Sequence, residues 1–357
     1  MKKLNYLTIS DIHFGHPKVT AKDILEHYDN FILEHYKVLK TLDVIFVLGD
    51  VTDKPLLNGS QDHNIVTLWF TRLVMFCKKY DIELILIRGT LSHDGKGLES
   101  FSTLIKNLAD IKFRYIDTIS VITINNLNIV IVPDNTHKHG NDVEEYVMSN
   151  FISKGVSLDI AMVHRGFHFQ MPIHLDENLN MDFWLKHIKN YIHVGHIHTP
   201  ATYNRIIGQG SFDRLNQGQE EIKGAVLTYI GYNNRWIFLE NAKATTFKRL
   251  HFDNISISTI VKAIKKYREN SFIEIVLPKD KLKNFDKREL LTLVKKYNIV
   301  FKNKDSNKED KVIVSKKIKE YDLSPLNIKN LLLKRVNKHY EKDASIILEE
   351  IYVNMKC

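Results

Sequence analysis

Short apolar runs punctuate the first 245 positions, and several end in loops rich in His, Asp and Gly. Leu4–Ile9 leads into SDIHFG, Val44–Leu48 into GDVTD, and Glu83–Ile87 into RGTLSHDG. Ile160–Val163 leads into HRG, and Tyr191–Val194 into GHIHTP. Runs this short, bounded by such loops, predict strands. Between the first three, apolar residues recur every three and four positions over Ala21–Leu39 and His63–Tyr80, which predicts two helices. Residues 121–132 (VITINNLNIVIV) predict a hairpin around Asn125-Asn126. AVLTYI and RWIFLEN close the series as two more strands. Early strand–helix alternation followed by hairpins predicts an α/β domain, with a mixed sheet or two packed sheets flanked by helices.

After about residue 245 the pattern changes. ISTIVKAIKKY predicts a helix, FIEIVLP a strand, KRELLTLVKKYN a helix and KVIVSKKI a strand. SPLNIKNLLLKRVNKHY and ASIILEEIYVNM then predict two helices, with Ser324 and Pro325 suited to the start of the first. The expected division is a domain over 1–245, a small α+β module over 246–322 and a helical segment over 323–357.

The charge follows this division. Residues 246–357 hold 26 Lys and Arg against 15 Asp and Glu, and residues 1–245 hold the other 25 against 27. A basic appendage on a near-neutral body suits a polyanionic partner; a merely Lys-rich solvated surface is the alternative. With 44% hydrophobic and 26% charged residues the chain reads as globular rather than disordered. No apolar run is long enough to span a membrane, and the start lacks the apolar core of a signal peptide. Two cysteines, Cys77 and Cys357, make no disulfide framework, so a reducing, cytoplasmic location is expected.

The polar residues at the strand ends carry the chemistry. Asp11 and His13 alternate by two and, in extended chain, would leave the same side of the backbone; His196 and His198 repeat that spacing. Asp50 and His164 follow two further strands. Two carboxylates and four histidines form a mixed nitrogen and oxygen set suited to Mn2+, Fe2+ or Zn2+. Any one of these histidines alone would read as ordinary. D-x-H, G-D-x-x-D, H-D, H-R-G and G-H-x-H in that order, each after an apolar strand, is a joint signal.

These motifs, from Leu4 to about Gly224, resemble those of the calcineurin-like metallophosphoesterases. GQGSFDRLNQGQEEIKG (208–224) is similar to a segment of the Mre11/SbcD-type DNA-repair nuclease subunits, including those of large bacteriophages. The resemblance implies a four-layer α/β/β/α sandwich with two divalent metal ions, expected to be Mn2+, and hydrolysis of phosphodiester bonds in DNA. It implies that Asp11, His13, Asp50 and His198 hold one ion, with Asp50 bridging, and that His164 and His196 hold the second. His93 would stabilise or protonate the leaving oxygen. Asp53 and Asp94 would support the centre from behind or fix loops, and a plain turn or capping role for either is the alternative.

One motif departs from the family. The loop after the third strand normally reads Gly-Asn-His-Asp or Gly-Asn-His-Glu, whereas here Asn is missing and the loop is longer by two residues. Aligning SHD with NHD makes Ser92 the replacement ligand of the second ion, with Thr90 as the alternative donor. Asp213 and Arg214 either position a phosphate or a loop, or form a structural salt bridge. The family also implies a coiled-coil ATPase partner of the Rad50/SbcC kind, docked on the C-terminal helices, and suggests homodimers. Leu326, Leu331, Leu332, Val336, Ile347, Leu348 and Ile351 offer apolar faces for that docking or for packing on their own domain. The other activities open to this sequence are a small-molecule phosphodiesterase or protein phosphatase, or a catalytically weak DNA-binding scaffold.

Overall fold

A computed structural model describes residues 3–95, 97–106, 111–134, 137–171, 175–253, 257–278, 296–303 and 312–313. The chain begins with β1 (Leu4–Ile9), α1 (Ala21–Leu39), β2 (Val44–Leu48), α2 (Gln61–Tyr80), β3 (Glu83–Ile87), α3 (Gly97–Lys106) and β4 (Phe113–Ile116). The hairpin β5 (Ser120–Ile124) and β6 (Leu127–Val132) follows, then α4 (Gly140–Asn150), β7 (Ile160–His164), α5 (Met181–His187) and β8 (Ile192–Gly195). Four further strands are β9 (Ala201–Tyr203), β10 (Ile206–Gly208), β11 (Gly224–Ile230) and β12 (Arg235–Glu240).

These strands build two six-stranded sheets, in the orders β12-β11-β1-β2-β3-β4 and β5-β6-β7-β8-β10-β9. β1 to β4 run parallel, as do β6, β7, β8 and β10, while the remaining strands join antiparallel at the sheet margins. Alternation along the strands defines four layers. Tyr6, Phe46, Ile85 and Ile87 of the first sheet meet Ile129, Ile131, Ile160 and Met162 of the second in one buried cluster. Their neighbours Leu7, Ile45, Val47 and Leu86 face the other way, onto Ile24, Phe31, Trp69 and Leu73 of α1 and α2. Val130, Val132, Val163 and Val194 likewise face Val143 and Val147 of α4 and Trp184 of α5. The architecture is an α/β/β/α sandwich whose central strands, such as β2, β7 and β8, are buried on both faces, which is why they read as unbroken apolar runs.

Local chemistry agrees with the two long helices. Thr20 caps α1 by accepting from the Asp23 amide, 3.1 Å away. Ser60 caps α2 by accepting from His63 N at 3.2 Å, which moves its start ahead of the predicted His63. Asn125 and Asn126 take left-handed φ of 49° and 62°, the conformation a two-residue hairpin turn demands.

A third sheet orders β13 (Phe247–His251), β14 (Phe272–Leu277), β15 (Asn298–Asn303) and β16 (Val312–Ile313), and α6 (Ile257–Ile264) packs on it through Ile260 and Ile264. The helix expected at 287–298 falls largely outside the described residues, as does most of the strand expected at 311–318. The helical segment 323–357 lies wholly outside them. No helix among the described residues is long and apolar enough to cross a membrane.

Candidate metal centre

The polar residues gather where parallel strands of both sheets end. Asp11 and His13 follow β1, Asp50 follows β2, and His93 lies in the loop after β3. From the other sheet, His164 ends β7, and His196 and His198 follow β8. The sandwich brings Asp50 Oδ1 within 3.3 Å of His164 Nε2, so the two sets share one carboxylate.

The backbone achieves this differently from the extended geometry expected of the two D-x-H and H-x-H spacings. Asp11, His13, Asp50 and His196 sit at φ of 53°, 56°, 50° and 82°. Left-handed turns therefore re-aim these side chains after the strands have ended. Such conformations cost about 1–3 kcal/mol each and persist only where surroundings fix them. Asp11 N donates to Gly49 O at 3.1 Å, Ile12 N and His13 N to Asp50 O at 2.9 and 3.1 Å, and Phe14 N to Val51 O at 2.9 Å. The His196 amide lies 3.1 and 3.0 Å from the two carboxylate oxygens of Asp11.

Three groups of potential ligand atoms result, each lying within 4.8 Å of one another: Asp11, His13 and His198; Asp50, His164 and His196; and His13, Asp53 and His93. His13 Nε2 lies 3.9 Å from Asp11 Oδ1 and 3.9 Å from Asp50 Oδ2, which places Asp50 against the first group as well. Both ring nitrogens of His13, Nε2 of His164 and Nδ1 of His196 are buried without a hydrogen-bond partner among the described residues. Buried polar atoms are ordinarily satisfied. Cations at these groups would satisfy His164 Nε2, His196 Nδ1 and the His13 Nε2 that faces Asp11 and Asp50, and the nitrogen and oxygen donor set fits a divalent first-row metal.

Electrostatics divides the group: it favours ionised Asp50 and neutral His196 and His198, the forms that bind a cation, but also protonated His13 and His164, whose protons a cation would have to displace. Burial disfavours the charged forms of His164 and Asp50, but their mutual attraction outweighs it, raising His164 to about 10 and holding Asp50 well below the usual carboxylate range. For His13, burial is likewise outweighed, by Asp53, Asp11 and Asp50, and its pKa is raised. Burial lowers His198 to about 4, and burial together with the His164 charge lowers His196. His164 Nδ1 meets the Leu48 carbonyl. A carbonyl only accepts, so Nδ1 carries a proton in either charge state, and the second proton of the imidazolium lies on Nε2, which faces Asp50. The same logic applies to His93, whose Nδ1 donates to Asp53 O at 2.6 Å and leaves Nε2 free. Its ring stands edge-on to His13 at 4.9 Å between centroids.

Asp94 fixes the loops rather than facing the centre. Its Oδ2 accepts from Gly89 N and Asp50 N at 2.9 and 3.0 Å, and its Oδ1 from Val51 N and Thr52 N at 2.8 and 3.1 Å. Burial and the Asp50 charge raise it to about 6 against the pull of those amides. Asp53 sits 3.4 Å from His13 Nδ1; burial opposes its ionised form, yet His13, His16 and His93 hold its pKa down. Gly89 permits the close approach of the two loops, because a Cβ there would lie 2.2 Å from Asp50 N and 2.3 Å from Asp50 Oδ1.

Ser92 is not placed as its alignment to the missing Asn would have it. The Thr90 carbonyl accepts from both His93 N (3.0 Å) and Asp94 N (2.9 Å), closing a turn on which Leu91 and Ser92 are exposed. Thr90 is the residue beside the centre, its amide donating to Asp50 Oδ1 at 2.6 Å and its hydroxyl 3.3 Å from Asp50 Oδ2.

The segment 208–224 works from behind. Ser211 N and Lys223 Nζ both donate to His198 O, at 3.1 and 2.6 Å, and Phe212 N reaches Asp11 O at 3.3 Å. Lys223 is fully buried, which lowers its pKa to about 8. Asp213 bonds His27 Nδ1 of α1 at 2.6 Å and the Thr245 amide, and Arg214 reaches Ala244 O at 3.4 Å. Asp213 thus holds a loop through His27, a partner the sequence did not suggest. The Lys223 contact was also missed; a lysine within an otherwise buried KGAVL run was the available signal.

No family model matches the chain, and no curated protein matches it. Among solved structures it is similar to the calcineurin-like phosphoesterase YfkN from Bacillus subtilis, at 10% identity over 74% of this chain and 96% of that one, with a TM-score of 0.38. It is also similar to GAP50, the anchor in the inner membrane complex of Plasmodium, at 11% identity over 68% and 86%, with a TM-score of 0.35. At this distance the likenesses say nothing about chemistry.

Proposed function

We propose that the chain is a hydrolase of phosphoesters with a two-metal centre of the calcineurin-like kind, acting on phosphodiester bonds in DNA. The observation that carries the reading is the shared carboxylate: Asp50 lies 3.3 Å from His164 and 3.9 Å from His13, between two buried ligand groups at the strand ends. Asp11, His13, Asp50 and His198 would hold one ion, and Asp50, His164 and His196 the other. Two such ions, expected to be Mn2+, supply a water made nucleophilic at neutral pH and a clamp for the charge of an in-line displacement.

The chain's own residues do the rest. Asp50 fixes the separation of the two ligand groups. His93, held through Nδ1 by Asp53 O, presents Nε2, and as an imidazolium it can pass that proton to the leaving oxygen. The basic surplus of residues 246–357 supports a polyanionic substrate. The SbcD-like segment 208–224 and the apolar helical pattern of 323–357 support a nuclease subunit docked on an SbcC-like coiled-coil ATPase.

The test compares Mn2+-dependent hydrolysis of duplex DNA, a small aryl phosphodiester and an aryl phosphomonoester by wild type and Asp50→Asn. DNA cleavage lost in the variant is expected. Cleavage of the monoester alone would favour a phosphatase, and DNA binding without any hydrolysis would favour a scaffold.

A further inference from the structure

The short linker between β12 and β13 is held from two directions. Its amides bond to residues of the sandwich: Lys243 N donates to Asn241 Oδ1 at 3.2 Å, Ala244 N to Asn241 O at 2.9 Å, and Thr245 N to Asp213 Oδ1. Its carbonyls turn instead to Arg268, which lies between α6 and β14. That guanidinium donates to Ala242 O at 3.1 Å, to Ala244 O at 2.9 Å and to Lys243 O. The backbone of Arg268 is itself fixed, because its carbonyl accepts from Ser271 Oγ at 2.6 Å and Ser271 N at 3.2 Å. We infer that Arg268 is a positioning residue for the first ligand group, steadying the His198 loop through this linker; this rests on the two-metal reading above.

Two routes of hydrogen bonds lead from the linker to that group. Thr245 N is held by Asp213, whose carbonyl accepts from Ser211 Oγ at 2.7 Å, and Ser211 N donates to His198 O at 3.1 Å. Asn241 N donates to Lys223 O at 2.6 Å, and Lys223 Nζ to the same His198 carbonyl at 2.6 Å. Asn241 Nδ2 also donates to Phe212 O at 3.1 Å, and Phe212 N lies 3.3 Å from Asp11 O. Asn241, Asp213, Ser211 and Lys223 are all buried, so water does not replace these bonds cheaply. A guanidinium suits the outer end of the path, since its planar fork presents five donors in fixed directions and can hold successive carbonyls. The third sheet is thereby tied to the first ligand group. Linkage is reciprocal, so an ion bound there should in turn steady the linker.

The experiment measures the affinities of both Mn2+ ions by equilibrium dialysis with elemental analysis, and deuterium exchange of the 241–246 amides with and without Mn2+. Arg268→Ala should weaken the first ion by about 3-fold or more and the second by less, and should lose the Mn2+-dependent slowing of exchange in the linker. Free guanidinium should restore both, where the same concentration of sodium chloride does not, and Arg268→Lys should fall between Arg268→Ala and wild type. Lys296→Ala breaks an exposed pair with Glu269 inside the third-sheet module and should match wild type. Unchanged first-ion affinity in Arg268→Ala would overturn the inference. So would an equal loss at both ions, or a loss that Lys296→Ala reproduces. Wild type that binds fewer than two ions would remove the two-metal reading itself, before any substitution is made.

Discussion

His193 should make the inter-sheet core sensitive to acid. The ring is fully buried, with Nε2 2.9 Å from Tyr6 OH and 3.4 Å from Thr228 Oγ1, and Nδ1 3.5 Å from Thr8 Oγ1. Burial alone lowers its pKa from 6.5 to about 3. The native ring thus stays neutral while the unfolded one takes up a proton below pH 6.5. Stability then falls as pH falls from 6.5 towards 3, and the loss ends only below the folded value. Each pH unit in that window removes about 1.4 kcal/mol, so the loss is about 1 kcal/mol at pH 5.5 and about 3 kcal/mol at pH 4.5. Other groups titrate there as well, so the useful quantity is a difference. His193→Gln keeps an acceptor for Tyr6 but cannot titrate. Urea unfolding of both proteins in EDTA, at pH 7.5, 6.5, 5.5 and 4.5, should show wild type losing its advantage by about 3 kcal/mol across the series. Parallel curves would refute the reasoning and mean that the folded ring is protonated or reached by water.

At the centre, Asp50→Asn and His196→Ala should abolish turnover with unchanged circular dichroism, and near wild-type hydrolysis in either would sink the two-metal assignment. His93→Ala should keep both ions and lose rate by about 10²–10⁴; loss of metal on elemental analysis would make it a ligand instead. Lys223→Met removes a donor to His198 O and should weaken the first ion selectively, with Lys223→Arg milder. A weakened second ion would contradict this. Because Asp50 raises His164 to about 10 against the effect of burial, a cation must displace its proton. Mn2+ binding should then release protons and tighten by roughly tenfold per pH unit between 6 and 9. Calorimetry in two buffers of different ionisation enthalpy measures this, and identical heats would rule it out.

How much of this was legible in the sequence depended on what each feature rests on. The parallel strands were visible because strands covered on both faces read as plain apolar runs, and the candidate ligands because polar residues interrupt those runs at their ends. α1 and α2 announced themselves by periodicity, and the four layers followed from the resemblance. The short α5 and the two three-residue strands β9 and β10 gave no comparable period to read. The aim of Asp11 and His13 depends on left-handed turns that no spacing rule predicts. Which of Thr90 and Ser92 lies beside Asp50 depends on which carbonyl closes a turn, and a motif aligned from its histidine cannot reveal that. Pairings such as His27 with Asp213 join residues 186 positions apart and exist only once the sheets have formed.

The loop after β2 carries more of the centre than its single candidate ligand suggests. Asp50 lies between the two ligand groups. Two residues before it, the Leu48 carbonyl fixes the proton on His164 Nδ1, and three residues after it the Asp53 carbonyl does the same for His93. One loop thus sets the carboxylate shared by the two groups, the Nδ1 proton of His164 on the second sheet and the orientation of the His93 ring. Three consecutive amides of that loop, from Asp50 to Thr52, are in turn held by the Asp94 carboxylate. A two-residue lengthening of the β3 loop is therefore tolerable as long as Asp94 still reaches back, because Leu91 and Ser92 are accommodated on an exposed turn while Thr90 and Asp94 stay in contact with Asp50. What the longer loop could not lose is the acid at its end. Shortening that side chain would release three elements of the chemistry at once, whereas exchanging Ser92 releases none.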